Sequence, residues 1–208
     1  LWPGAGVPAT LLRKTVKGGA LRVSEFCGAL ANADLERELR KLVREGGLYY
    51  LNLNLPKLYH GLVHRRCLEA VHEKVGAYFG GLSPDIFASL AIACVANRVV
   101  VTDYPLTIPG ACPGSGSTNN QTRQFTGRLE DTLLWRDRGE YRWCELVPRV
   151  YTAETVWVDS AIAALRAMGR ADLVRQLNLP KLAAYCIGSN RGVVRPVLRD
   201  LLTGMRIT

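Results

Sequence analysis

The tripeptide Ser83-Pro84-Asp85 and the apolar run behind it constrain this chain more than any other feature. The helix predicted over Ile86–Asn97 is apolar on all sides, and a helix of that kind has to be buried. Its start is written in three residues: Ser at the N-cap, Pro at the first helical position, and an acid in the first turn facing the helix dipole. That gives Asp85 a complete structural role. A lone carboxylate at the mouth of a buried helix, beside a glycine turn, is equally well placed for general-base work. Residue pattern does not separate the two roles, and one side chain can fill both.

The flanking segments read as alternating helix and strand. A helix is predicted from Tyr59, broken by Gly76, Gly80 and Gly81. Arg98–Asp103, with its branched run Val99–Val101, reads as a core strand, and Leu106–Ile108 between two prolines as an edge segment. Upstream, Ser24 is a plausible cap for a helix striped by Phe26, Leu30, Leu35, Leu39, Leu42 and Val43, with a break near Asn32. Leu48–Leu55 alternates as a strand or extended loop, and Ala20–Val23 as a short strand behind an irregular lead-in. From Leu129 the pattern is helical: Thr152–Met168, Ala171–Leu177, Pro180–Ile187 and Pro196–Leu202. Trp135, Trp143 and Trp157 fall there as packing residues. Residues 110–128, rich in Gly, Ser, Thr and Asn, have no periodicity and read as a loop that is either a functional lid or disordered.

Charge and cysteine usage narrow the function. The net charge of +9 over 208 residues suits anionic partners. It is spread along the chain with no basic run of five, which favours small anions over nucleic acid. Six cysteines, at 27, 67, 94, 112, 144 and 186, contain no C-x-x-C, so neither a zinc framework nor a disulfide scaffold is indicated. A reducing, cytoplasmic setting follows. The longest apolar stretch falls short of the roughly 20 residues that span a bilayer, although peripheral contact at the inner membrane face stays open. Leu1 opens in mid-pattern, with neither an initiator Met nor a signal-peptide core, so a longer parent chain is expected.

The three histidines, His60, His64 and His72, lie in one predicted helix, two of them four apart. No Glu adjoins the first and no distant fourth ligand is evident, which argues against a metal site. His60 instead reads as a polar residue near a helix start, within reach of a bound ligand. The Gly-Ser-Gly-Ser run holding Ser115 and Ser117 can cradle phosphate through backbone N–H groups, although it is not a P-loop.

Three segments in this order, YHGLVHRR, YFGGLSPDIFASLAIA and VVVTDYPLTIPG, resemble the second half of a family 2 glycosyltransferase of the GT-A fold, in a bacterial branch. The likeness is closest over Leu48–Gly116 and looser through PRVYTAETVWVDSAIAAL. It implies an α/β domain: residues 1–128 as the C-terminal half of a GT-A-like unit, and 129–208 as a helical region packed on it. The implied activity is inverting transfer of a sugar from a nucleoside diphosphate to the hydroxyl of a glycan or lipid-linked acceptor, as in polysaccharide biosynthesis. Asp85 matches the base. His60, Gly81, Ser83, Ser115 and Ser117 fall where substrate would bind. The family's divalent metal, Mn²⁺ or Mg²⁺, is held by an Asp-x-Asp motif that does not occur here, so its ligands are expected upstream. A chain beginning at Leu1 would lack the donor half and be inactive by itself. The alternative is a non-catalytic binding or interaction module derived from the same fold.

Overall fold

A computed structural model describes residues 25–107, 141–189 and 194–204, together with the single positions Leu129, Trp135 and Gly139. Among these residues the order is β1 (Leu30–Asn32), α1 (Leu35–Arg44), a 3₁₀ turn (Tyr50–Asn52), α2 (Arg65–Val75), α3 (Pro84–Val95), β2 (Val100–Thr102), α4 (Ala153–Ala167), α5 (Ala171–Val174), α6 (Leu179–Ser189) and α7 (Val194–Gly204). Helix dominates, and the two strands form one small antiparallel sheet with Leu30 opposite Thr102.

Helix α3 is the centre of the molecule. Every residue from Ile86 to Ala93 is buried, as its sequence requires. It packs against α1, α2 and, most extensively, α4. One continuous core joins Leu42 of α1, Leu90 of α3, Ile162 of α4 and Leu182 of α6. Residues before and after position 128 thus share a single core. Helix α4 has the strongest start, a capping box in which the Thr152 and Thr155 side chains each accept from the other's backbone N–H.

The turn after α1 shows why α4 can approach so closely. Gly47 has φ +76°, and a Cβ there would stand 2.3 Å from Val158 Cγ2. Only glycine meets both demands.

Several elements differ from their sequence patterns. The apolar stripe from Phe26 to Val43 is not one helix: Leu30–Asn32 is a strand, and α1 begins where Asp34 Oδ1 accepts from the Arg37 N–H at 3.0 Å. The alternation in Leu48–Leu55 yields no strand, because Tyr49 takes φ +58° and leads into a 3₁₀ turn. The helix predicted from Tyr59 starts at Arg65, with His64 as its N-cap. Strand β2 is no core strand; Val100 is 44% exposed, and its one hydrogen-bonded neighbour among the described residues is β1. Helix α5 stops at Val174, short of Leu177. Ala20–Val23 and residues 110–128 lie outside the described residues, and no described helix is long and apolar enough to cross a membrane.

Candidate functional site

The mouth of α3 is built by two helices. Ser83 holds the N-cap backbone position, but its side chain makes no capping bond to a backbone N–H of the helix. Its Oγ instead donates to Asp85 Oδ1 at 2.6 Å, which fixes the carboxylate in the first turn. The Ser83 N–H donates to Ser160 Oγ of α4 at 2.9 Å. Gly81, buried at φ +67°, lies against the same serine; a Cβ on it would fall 2.7 Å from Ser160 Cβ. Helix α4 therefore sets the turn that presents Asp85, and Asp85 stays partly exposed.

Behind the carboxylate lies a pair of groups that the sequence did not single out. Lys57 Nζ donates to the Tyr50 backbone carbonyl at 2.7 Å and sits 3.6 Å from the centre of the Tyr50 ring. Burial pulls the Lys57 ammonium down to about 8, opposed by the negative charges of Glu38 and Asp85. Burial also pushes the Tyr50 hydroxyl up to about 12, helped by the Asp85 charge, while Ser89 acts against the rise. The Tyr50 hydroxyl donates to the Pro56 carbonyl at 3.3 Å. Ser89, one turn beyond Asp85, is fully buried, and its Oγ makes no hydrogen bond of normal geometry. A lysine that loses its proton near neutrality, within the field of a carboxylate, can steady an anion or relay a proton.

A groove of about 810 Å³ has Lys57 in its wall. Its walls are the loop from Leu55 to His64, the start of α2, the end of α3 and strand β2. His60 lines it, with Nδ1 2.9 Å from Thr107 Oγ1. Asp85 does not line it, whereas His60 and Lys57 do, and Lys57 also feels the Asp85 charge. The three histidines also part company. His64 Nδ1 accepts from the Arg66 N–H, and His72 stacks on Tyr78 at 4.5 Å.

Of the expected site residues, Gly81, Ser83 and Asp85 form one turn, His60 belongs to the groove, and Ser115 and Ser117 lie outside the described residues. Among the described residues no three His, Cys, Asp or Glu side chains converge as metal ligands. Lys57 escaped the sequence reading because its burial comes from packing between distant segments; locally it is one lysine after a proline. Comparison with protein-family models, with curated proteins and with solved structures finds no match to this chain.

Proposed function

We propose that this chain carries the acceptor side and the catalytic base of an inverting glycosyltransferase with a GT-A-like domain, and that Asp85 is the base. The observation that carries the reading is the carboxylate itself: partly exposed at the mouth of a buried helix, oriented by Ser83 Oγ at 2.6 Å. The three motifs that resemble family 2 glycosyltransferases surround that position.

In the proposed step, Asp85 takes the proton from an acceptor hydroxyl as its oxygen bonds to the anomeric carbon. The bond from that carbon to the diphosphate oxygen breaks, and the nucleoside diphosphate leaves with the electron pair. Asp85 is suited to this because its second oxygen is free of the Ser83 bond and its first is held still. The Asp85 charge reaches Lys57 and opposes the fall in that lysine's pKa. A divalent cation belongs to the reading as partner of the donor diphosphate, with ligands outside the described residues, and no step here is routed through it.

Asp85→Asn in the full-length protein tests the assignment. Transfer from a panel of nucleoside-diphosphate sugars is expected to disappear while donor binding survives. Normal turnover would remove Asp85 from the role.

A second reading, a binding module without catalysis, is favoured by the groove, whose cationic lining suits an anion and needs no base. Calorimetric titration with nucleoside diphosphates, with and without Mn²⁺, separates the two. Metal-dependent binding counts against the module.

A further inference from the structure

The groove that includes Lys57 combines two features that rarely serve the same small polar ligand. Its floor is aliphatic, formed by Leu55, Val63, Ile92, Val95, Val99 and Val101. Its rim carries Lys57, Arg66 and Arg98, and no Asp or Glu lines it among the described residues. None of these three cations has an ion-pair partner among the described residues. Two are pre-set rather than loose: Arg98 Nε donates to Asn32 Oδ1 at 2.9 Å, and Lys57 Nζ to the Tyr50 carbonyl at 2.7 Å. Arg98 thus keeps its two terminal nitrogens for an anion.

The lip of the groove is also apolar. Leu62 is 95% exposed there, and Leu106 is 54% exposed. A volume of about 810 Å³ suits a small molecule. A nucleotide would call for an aromatic face against its base, yet Tyr104 alone among Phe, Tyr and Trp lines the groove in the described residues. Cations without an ion-pair partner at the edge of an aliphatic trough match an anionic head on a saturated or isoprenoid tail.

We propose that this groove binds a single-chain lipid phosphate, its tail along the aliphatic floor and its phosphate at the Lys57–Arg66–Arg98 rim. The transferase reading enters in one respect: such a molecule would be the lipid carrier of the acceptor, its phosphate held beside Lys57, which feels the Asp85 charge. The binding site itself stands on the groove alone.

The test is calorimetric titration of the full chain with dodecyl phosphate below its micelle concentration, beside inorganic phosphate and dodecyl maltoside. Dodecyl phosphate is expected to bind at least about tenfold more tightly than either control, because head and tail are both recognised. The Arg66→Ala/Arg98→Ala double variant is expected to lose about tenfold for dodecyl phosphate. Leu62→Ser changes a residue already in water, so it leaves folding intact; it should weaken dodecyl phosphate and spare inorganic phosphate. Equal binding of inorganic phosphate would overturn the proposal in favour of a simple anion site. Equal binding of dodecyl maltoside, or an unchanged affinity in the double arginine variant, would overturn it in favour of a non-specific apolar surface. Asp85→Asn keeps the groove, so dodecyl phosphate binding should persist in it. Normal transfer by that variant would remove the base and leave the lipid site standing.

Discussion

Ser160 Oγ on α4 accepts the Ser83 N–H at 2.9 Å, and Gly81 lies against the same side chain. The turn that carries Asp85 is thus held by a helix some 75 positions away in sequence. Ser160→Ala leaves the Ser83 donor unpaired in a partly buried place, so a loss of about 1–2 kcal/mol is expected in urea unfolding. Gly81→Ala adds a strained φ to an overlap with Ser160, and should cost more than Ser160→Ala. Additive losses in the double variant would show that the two positions do not share the contact.

The ammonium of Lys57 gives the fold a distinct alkaline signature. Its folded pKa of about 8 lies below the ordinary 10.5. Between those values the unfolded chain holds a proton that the folded chain has lost, so this group's contribution rises with pH and is lost as pH falls through about 8. Chemical shifts of the lysine side chains against pH check it: one lysine should titrate near 8, and Lys57→Met should remove that transition.

Asp159 is a buried carboxylate apart from the Asp85 turn. It is 1% exposed in α4 and accepts from the Tyr141 hydroxyl and from the Cys144 N–H at 2.8 Å. Asp159→Ala strands both donors and is expected to lose about 2–4 kcal/mol. Burial raises its pKa despite these donors, so its contribution is greatest in acid and is lost as pH rises through the raised value. Asp159→Asn removes that slope. Urea unfolding of wild type and Asp159→Asn from pH 4 to 7 measures it, and the difference should move in the variant's favour as pH rises.

Arg170 joins α1 to α5 through Glu36, at 3.0 Å from each terminal nitrogen, and through Asp172, also at 3.0 Å. The guanidinium bonds hold the Asp172 carboxyl down at about 2. The link is present above the ordinary value of 3.8 and is lost as pH falls through about 2. Carboxyl carbon shifts should show that midpoint in wild type and a return toward 3.8 in Arg170→Ala. An unmoved Asp172 midpoint would contradict the link.

What the sequence made legible was local. Ser83-Pro84-Asp85 specifies its helix start within three residues, and the apolar run behind it leaves no face for water; α3 follows from both. The helical spacing over Thr152–Met168 likewise yields α4. The pattern misled where one apolar stripe served two elements. Leu30 and Leu35 fit a helical spacing, yet Asp34 caps α1 between them and leaves Leu30 to pair with Thr102. His60 and His64 fit a helix face until His64 is seen to cap α2 with its own ring. Lys57 and Ser160 were illegible for another reason. Their roles come from contacts with Tyr50 and Ser83, and no spacing in the chain encodes those pairings.

The most direct measurement is the anomeric configuration of product made by the full-length protein, followed by NMR beside Asp85→Asn at matched folding. If Asp85 is the base of an inverting transfer, wild type gives product of inverted configuration, and Asp85→Asn gives none while keeping its fold and its donor affinity. Product of retained configuration, or wild-type turnover by Asp85→Asn, would contradict the account.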